Sequence, residues 1–318
     1  MVALAPPPTP PAPAAPQVPR LTALKHEVDT SPEKFGALRR SDGLIGDAPA
    51  LRERMAEDGY LFLPGLLDRE EVQAARRSIM AMLAEEGILE PGTPPEEGIA
   101  ARGPVRGVGV RDDLARRSLP LQRLLYAGRM IAFYRDFLGG DVLHFTYTWL
   151  RPRTPGGATA PHYDIVFMGR GTTRLYTAWT PLSDISYQMG GLMVLEGSHR
   201  LEHLKRTYGQ KDVDTYCTNL PHAPERATGP KLFTGQLSKN PVTLRDRLGG
   251  RWLTAEFRMG DVLAFSMYTL HCSLDNQSDR VRLSCDTRYQ LASEPADHRW
   301  TGEEPPAHSA AIRQARIC

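Results

Sequence analysis

The sequence predicts a mainly β fold with flanking helices, and two observations support this prediction. From Asp141 onward, short apolar and β-branched runs alternate with Gly, Pro and Asp, with no long helical segment between most of them. This pattern of short strands separated by turn residues is typical of an antiparallel sandwich or jelly roll. Before Asp141, apolar residues recur with helical spacing. A length of 318 residues fits one large domain, and we predict a single domain over residues 21–318.

The first twenty residues contain eight prolines among Ala and Thr. Such a segment forms no helix and buries no core, so residues 1–20 are predicted to be a disordered, polyproline-like tail. The segment does not have the pattern of a signal peptide, which needs a basic start and an unbroken apolar stretch. Here Pro interrupts every apolar run, and the first basic residue is Arg20. The predicted location is the cytoplasm.

Helices are predicted next along the chain. Residues 51–58 form a short helix, residues 60–63 a brief strand, and a second helix begins after Asp68, which is a candidate N-cap. That second helix carries an apolar stripe, Val72, Ala75, Ile79 and Leu83. A third helix is predicted over residues 121–138. The Gly- and Pro-rich residues 91–109 are a candidate lid, and the basic residues near it, Arg102, Arg106 and Arg111, are more simply explained as solvent-facing charges.

Strands are predicted from the alternation of apolar and polar residues and from the turn residues between them. They cover residues 142–150, 162–168, 174–180, 191–195, 262–269 and 281–290. Residues 200–252 break this pattern, because they are charged and rich in Pro and Gly, and we interpret them as an insertion between two strands.

Charge and cysteine content exclude several classes of protein. The net charge is +2 with acidic and basic residues intermixed, so no basic surface for nucleic acid is indicated. No apolar run is long enough to span a membrane. The expected partner is a small molecule. Four cysteines without C-x-x-C spacing favour a reducing compartment over a disulfide scaffold, and these are Cys217, Cys272, Cys285 and Cys318.

Two histidines and a carboxylate form the most informative pattern. His162 and Asp164 have His-x-Asp spacing, and on an extended strand such residues point the same way. His271, expected at the end of the strand that begins after Gly260, is the candidate third ligand. Two imidazoles and one carboxylate occupy one face of an octahedral Fe(II) and leave the other positions open. The His-x-Asp pair alone is weak, because 9 His and 37 acidic residues in this chain produce about one match by chance.

Arg282 follows His271 by eleven residues, on a strand whose two faces differ. Val281, Leu283 and Cys285 are expected to pack under the amino-terminal helices, while Arg282 and Ser284 line a pocket. A buried arginine fork binds a carboxylate through two parallel hydrogen bonds. A dicarboxylic keto acid, chelating iron at one end, fits this arrangement.

Five segments together resemble one known family, the phytanoyl-CoA dioxygenase family of Fe(II)- and 2-oxoglutarate-dependent oxygenases. They are His162-Tyr163-Asp164, Trp179-Thr180-Pro181-Leu182-Ser183-Asp184, Gly190-Gly191-Leu192-Met193-Val194-Leu195-Glu196-Gly197-Ser198-His199-Arg200, His271-Cys272-Ser273 and Arg282-Leu283-Ser284. Their order and spacing make the combination specific. The resemblance extends from about residue 51 to residue 300 and implies a double-stranded β-helix, the cupin-like jelly roll.

The resemblance also implies roles for individual residues. His162, Asp164 and His271 are the expected iron ligands, and Arg282, Ser273 and Trp179 are the expected contacts of 2-oxoglutarate. A buried core aromatic on a strand explains Trp179 equally well. Fe(II) with 2-oxoglutarate and O2 as cosubstrates would then hydroxylate a C–H bond of a small metabolite and release succinate and CO2. Related halogenases lack the carboxylate ligand, so the presence of Asp164 disfavours halogenation. Desaturation, epoxidation and rearrangement stay open.

Two other functions stay open as well. One is a metal-dependent cupin-like enzyme that does not use 2-oxoglutarate, which would leave Arg282 without a carboxylate to bind. The other is a non-catalytic jelly-roll binding protein. A binding protein has no need of a metal triad together with a carboxylate-binding arginine, so the oxygenase is preferred.

Overall fold

A computed structural model describes residues 20–103, 109–216 and 233–308. In chain order the strands are β1 (Thr22–Ala23), β2 (His26–Glu27), β3 (Phe35–Ala37), β4 (Tyr60–Leu63), β5 (Val142–His144), β6 (Trp149–Arg153), β7 (Tyr176–Pro181), β8 (Leu192–Leu195), β9 (Trp252–Thr254), β10 (Val262–Ser266), β11 (His271–Ser273) and β12 (Arg282–Leu291). The α-helices are α1 (Ala48–Asp58), α2 (Arg69–Glu85), α3 (Asp112–Arg117), α4 (Leu119–Tyr126), α5 (Gly128–Leu138), α6 (Ile165–Met168), α7 (Glu202–Arg206) and α8 (Pro241–Leu248).

Two sheets form the body of the fold. The larger sheet has the order β4-β10-β7-β12-β5. Strands β5 and β6 pair with the same edge of β12, β5 at its carboxy-terminal end and β6 at its amino-terminal end. The smaller sheet has the order β11-β8-β9-β3. Its β3–β9 pair is parallel, an exception to the predicted antiparallel sandwich or jelly roll. The predicted mainly β jelly roll with flanking helices is confirmed, although its two sheets do not close into a barrel.

The amino-terminal helices cover the outer face of the larger sheet. The predicted stripe of α2 is fully buried there, together with Leu283 and Cys285 of β12. Burying a side chain of this size stabilises the fold by about 1.5–3 kcal/mol. Asp68 caps α2 as predicted, because its carboxylate accepts the N–H groups of Glu70 and Glu71.

The inner faces of the two sheets meet at a second apolar core. Leu263, Phe265 and Trp179 of the larger sheet pack there against Val194 and Leu253 of the smaller one. Side chains on a strand alternate between faces, so β12 turns its even-numbered residues, Arg282 to Arg288, toward this inner space. The polar side chains on this face of β12 therefore lie between the two sheets, in the same layer of the fold as this apolar core.

Two predicted elements are interrupted in the structure. The helix predicted over residues 121–138 is two helices, α4 and α5, because Ala127 is extended and Gly128 has φ +53°, a value that suits glycine. The strand predicted over residues 142–150 is likewise two strands, β5 and β6. The two pair with different ends of β12.

Two predicted strands are wrong in ways that matter for the site. Residues 162–168 are not a strand, because only His162 makes a β-bridge and Ile165–Met168 is a short helix. The strand that begins at Val262 ends at Ser266, and a turn follows in which the Thr269 N–H bonds to the Ser266 carbonyl. His271 therefore begins β11 in the smaller sheet and does not end β10.

The predicted insertion lies between two strands that pair directly. Val194 of β8 is opposite Leu253 of β9, and the chain between them includes α7 and α8. The predicted tail, except for Arg20, and two of the four cysteines, Cys217 and Cys318, lie outside the described residues. Cys272 and Cys285 are buried free thiols. Within the described ranges, no helix has both the length and the apolar content needed to cross a bilayer.

Candidate metal and cosubstrate site

The three predicted metal ligands lie together in the structure. Nε2 of His162 is 3.6 Å from Oδ1 of Asp164, and Nε2 of His271 is 3.8 Å from the same oxygen. One ligand atom from each residue lies within 4.8 Å of the other two. All three side chains are buried. This arrangement is a three-ligand set on one side of a common point.

Backbone pairing brings the two histidines side by side. His162 and His271 exchange N–H···O=C hydrogen bonds of 3.1 and 3.2 Å, and their ring centroids are 4.2 Å apart. Asp164 is the residue before α6, with helical φ and ψ angles. The His-x-Asp ligands thus converge through a bridge followed by a helical turn, which corrects the predicted extended strand.

Both imidazoles are held by hydrogen bonds to the backbone. Nδ1 of His162 donates to the Ala160 carbonyl at 2.8 Å, and Nδ1 of His271 donates to the Thr269 carbonyl at 3.0 Å. Because a carbonyl only accepts, each ring has its proton on Nδ1 and its lone pair on Nε2. Burial, with a smaller contribution from His162, lowers the pKa of His271 to about 4. A neutral imidazole is the form that binds a metal.

Asp164 keeps one oxygen for the metal position and uses the other for the protein. Its Oδ2 accepts hydrogen bonds from Arg288 Nη2, at 2.9 Å, and from the Thr177 hydroxyl. Burial by itself raises the pKa of this carboxyl, but the positive charge of Arg288 outweighs burial and holds the pKa well below its ordinary value. Asp164 is therefore an anion with Oδ1 directed toward both histidines.

A second group of buried polar atoms lies around Arg282. In the described residues, Nε of Arg282, Nε of Arg153, Nε1 of Trp179 and Oγ of Ser284 are buried without a hydrogen-bond partner. Arg282 and Arg153 are cross-strand neighbours on β12 and β6. Burial lowers the pKa of Arg282 to about 9 and that of Arg153 to about 10. Buried donors without acceptors are costly, so this cluster fits a bound carboxylate.

Ser273 lies on β11 next to this cluster. Its Oγ accepts the N–H of Thr159 at 2.9 Å, which leaves its own hydrogen free to donate. The Thr159 hydroxyl accepts from Nη2 of Arg153 at 3.1 Å. Arg282 itself donates to the Gly190 carbonyl. Gly190 has φ +84°, and a Cβ there would lie 2.7 Å from two carbonyl oxygens, so only glycine fits this turn.

Comparison with protein families gives one match over most of the chain. The model of the phytanoyl-CoA dioxygenase (PhyH) family matches residues 55–284. The chain belongs to the phytanoyl-CoA dioxygenase family. The predicted class of enzyme, a non-haem iron dioxygenase that uses 2-oxoglutarate and O2, is confirmed with it.

Curated relatives of this family member are bacterial hydroxylases. It is 28% identical to the 1-deoxypentalenic acid 11-beta-hydroxylase of Streptomyces exfoliatus over 261 residues, which cover 79% of this chain and 83% of the relative. It is 27% identical to the enzyme of the same name from Streptomyces arenae over 264 residues, with the same coverage of both chains.

Solved structures show the same fold. The epimerase SnoN of nogalamycin biosynthesis superimposes with a TM-score of 0.53 at 21% identity, covering 82% of this chain and 93% of SnoN. EctD from S. alaskensis superimposes with a TM-score of 0.54 at 19% identity, covering 88% of this chain and 89% of EctD. At these identities the likeness concerns the fold.

A cavity of about 520 Å³ opens beside the triad of this family member and includes several residues that sequence reasoning missed. Arg151 and Arg288 belong to its wall, and so do Trp149, Trp300 and His308. Trp300 and His308 come from the carboxy-terminal segment, for which the motifs predict no chemical role. Alternation on β6 and β12 places Trp149, Arg151 and Arg288 on the Arg282 face, which is the signal that could have found them.

The basic residues of the candidate lid have mixed positions. Arg102 is exposed and lies near Glu90, as expected for a solvent-facing charge. Arg111 pairs with Glu86 and Asp113. Arg106 lies outside the described residues. From this part of the chain, Gly109 and Val110 contribute to the cavity wall.

Proposed function

We propose that this protein hydroxylates a C–H bond of a small metabolite, with His162, Asp164 and His271 binding Fe(II) and Arg282 binding 2-oxoglutarate. The observation that supports this proposal most strongly is the pairing of two features in one interior. One is a buried set of three ligand atoms, and the other is a group of buried donors without acceptors around Arg282.

The triad suits a ferrous ion. Two neutral imidazoles and one carboxylate oxygen are the ligand set of non-haem iron oxygenases, and three ligands leave positions free for a cosubstrate and O2. When bound, iron and 2-oxoglutarate supply the oxidant that removes hydrogen from a C–H bond and leaves a hydroxyl. The carbonyls of Ala160 and Thr269 hold the two imidazoles in orientation, and burial keeps the His271 ring neutral by lowering its pKa.

The donors around Arg282 suit the distal carboxylate of 2-oxoglutarate. Arg282 and Arg153 bring two cations, and the Ser273 and Ser284 hydroxyls and the Trp179 N–H bring neutral donors. Charge-assisted bonds to arginine are the strongest hydrogen bonds available to a carboxylate. An enzyme of the cupin type that does not use 2-oxoglutarate would leave these buried groups unpaired, and so would a binding protein without a metal.

Apolar residues next to the triad keep water from the reacting centre. The Phe265 ring lies 4.5 Å from the His271 ring, and the Phe167 ring lies 5.3 Å from the His162 ring. Phe265 belongs to the core between the sheets, whereas Met267 packs in a separate core cluster. Exclusion of water limits side reactions of a strong oxidant.

The relatives support a small-molecule substrate. Two of them are named as hydroxylases of 1-deoxypentalenic acid. One structural relative is described in complex with nogalamycin RO and another with 5-hydroxyectoine. We infer a small metabolite here, with neither nucleic acid nor membrane as partner.

We also infer that residues 21–318 form a single domain with an insertion near residues 200–252. The direct pairing of β8 with β9, on either side of the insertion, supports this division. Work in the cytoplasm, a reducing compartment, is consistent with the buried free thiols of Cys272 and Cys285.

An aerobic screen of candidate metabolites tests the proposed function. Purified protein with Fe(II) and 2-oxoglutarate should release succinate faster when its substrate is present, and mass spectrometry should find a product heavier by one oxygen atom. An anaerobic titration with 2-oxoglutarate should produce the visible metal-to-ligand charge-transfer band. If that band is absent from iron-loaded protein, the proposal is wrong.

A further inference from the structure

Aromatic rings form much of the wall of the cavity beside the triad. The Trp149 and Trp300 ring centroids are 4.8 Å apart, and the Tyr147 ring lies 4.7 Å from Trp149 and 5.3 Å from Trp300. All three line the cavity, and Phe167 adds a fourth ring. Rings packed on one another present rigid apolar surfaces. The cavity volume of about 520 Å³ suits one compact ligand.

Arg151 brings a charged fork to this apolar wall. Its Nε donates to Oδ2 of Asp286 at 2.6 Å, which fixes the guanidinium in place. Among the described residues, the two terminal nitrogens of Arg151 have no hydrogen-bond acceptor, and the side chain lines the cavity. A guanidinium held at Nε and free at its terminal nitrogens can bind a carboxylate through two parallel bonds.

Arg288 is a second, independent indication that the cavity binds an anion. It lines the cavity and is 2% exposed, with its guanidinium 4.1 Å from the centre of the Trp149 ring. Its Nη2 bonds to Asp164, but Nε and Nη1 are buried without a partner. Buried donors without acceptors are rare in stable proteins because each costs free energy.

The balance of charge between the two sheets supports the same conclusion. The arginines that face this space are Arg151, Arg153, Arg282 and Arg288, whereas only two buried carboxylates lie beside them in the described residues, Asp164 and Asp286. Fe(II) and the dianion 2-oxoglutarate would neutralise each other, so the excess of positive charge would persist with both bound. A buried excess of one sign is unfavourable, and an anionic substrate would reduce it.

We propose that the cavity binds a small carboxylic acid with a compact ring body, whose carboxylate pairs with Arg151 and whose rings pack on Trp149 and Trp300. This substrate class rests on the proposed function. The arrangement holds the acid group at Arg151 and leaves C–H bonds of the ring body free to face His162 and Asp164. Arg151 is then a residue of substrate specificity, separate from the 2-oxoglutarate contacts around Arg282.

A matched pair of probes tests this proposal. Adamantane-1-carboxylate and adamantane-1-carboxamide have the same compact ring body and differ in charge. Calorimetric titrations would use the full chain with Fe(II) and 2-oxoglutarate under anaerobic conditions. The carboxylate should bind at least about tenfold more tightly than the amide, as expected for a charge-assisted bidentate pair.

Variants at Arg151 locate the effect. Arg151→Gln should weaken binding of the carboxylate about tenfold and leave binding of the amide unchanged. Arg151→Lys, which keeps the charge without the planar fork, should be intermediate, and it also serves if the Gln variant does not fold. Arg102→Gln removes an exposed cation outside the cavity and should bind both probes as the unmodified protein does.

Several results would overturn the proposal. Equal affinity for carboxylate and amide, no binding of either probe, or an Arg151→Gln variant that binds the carboxylate normally would each contradict it. Loss of the 2-oxoglutarate charge-transfer band in Arg151→Gln would assign Arg151 to the cosubstrate instead. Absence of that band from the unmodified protein would contradict the proposed function, so the two failures are distinguishable.

Discussion

Arg288 and Asp164 form a buried ion pair, with 2.9 Å between Nη2 and Oδ2 and both side chains 2% exposed. The pair links β12 of the larger sheet to the turn that places the carboxylate next to the two histidines. Because Arg288 and Thr177 take Oδ2, only Oδ1 faces the imidazoles. Arg288 is thus a positioning residue for the metal site. It lies on β12, the same strand as Arg282 and Ser284.

Asp164→Ala should abolish iron-dependent succinate release, because two protein ligands would remain. Bound iron, measured by metal analysis after gel filtration, should fall with it. Asp279→Ala is a matched control, since the Asp279 side chain is 77% exposed and lies near the neighbouring Arg280. Turnover by Asp164→Ala at the rate of this control would contradict the assignment of the ligand.

Arg288→Gln should make iron binding more sensitive to acid. The pKa of Asp164 is held well below its ordinary value mainly by Arg288, which opposes burial. A depressed carboxyl pKa stabilises the folded, ionised state above the unfolded pKa, and that stabilisation is lost as pH falls through the folded pKa. Without Arg288, burial raises the pKa, so iron should be lost at a higher pH on acidification.

The measurement is the affinity for Fe(II) under anaerobic conditions, taken at several values between about pH 5 and pH 8. Arg288→Lys retains a cation and should keep more of the affinity at the acid end. A Gln variant with the pH profile of the unmodified protein would show that Arg288 does not control the ionisation of Asp164. Removing one partner of a buried pair also costs about 3–5 kcal/mol of stability, which thermal unfolding would detect.

Arg282→Ala should mainly raise the concentration of 2-oxoglutarate that the enzyme requires. The lost pairing corresponds to about 1.5–3 kcal/mol, which is the contribution of a hydrogen bond to a charged group. Arg153→Gln should also raise the required concentration, but by less, because glutamine keeps a neutral N–H donor that alanine lacks. Anaerobic titration of the charge-transfer band measures both, and unchanged affinity in both variants would remove this cluster from the cosubstrate site.

The order and spacing of motifs, together with the alternation of residues on one strand, predict much of this site. His162, Asp164, His271 and Arg282 were all identified from motif order and spacing, and the structure brings the first three within ligand distance of one another. The opposite faces of β12 followed from the alternation of Val281, Leu283 and Cys285 with Arg282 and Ser284. Short-range periodicity carries this information because each residue's face depends only on its neighbours.

Features that depend on long-range contacts were missed. The sequence predicts His271 at the end of β10 because the run from Val262 to Leu270 contains no Gly or Pro, and nothing local marks the turn that moves the chain to the other sheet. Arg153 is the cross-strand neighbour of Arg282, which is 129 positions away. Trp300 reaches the cavity wall by packing on Trp149. Such pairings are set by tertiary structure and leave no periodic signal.

Neighbouring residues of β12 should affect different properties when changed to alanine. Leu283 is fully buried under the amino-terminal helices, so Leu283→Ala should lower the free energy of unfolding by about 2–5 kcal/mol through lost contacts and a cavity. Ser284 faces the other way, and its Oγ has no partner among the described residues. Ser284→Ala removes a buried hydroxyl that has no partner to lose, so it should change stability far less than Leu283→Ala while weakening 2-oxoglutarate binding. Urea unfolding and the anaerobic titration, performed on both variants, separate the two effects. A Ser284 variant that loses stability and keeps full 2-oxoglutarate affinity would mean that the inner face of β12 serves packing and not the cosubstrate.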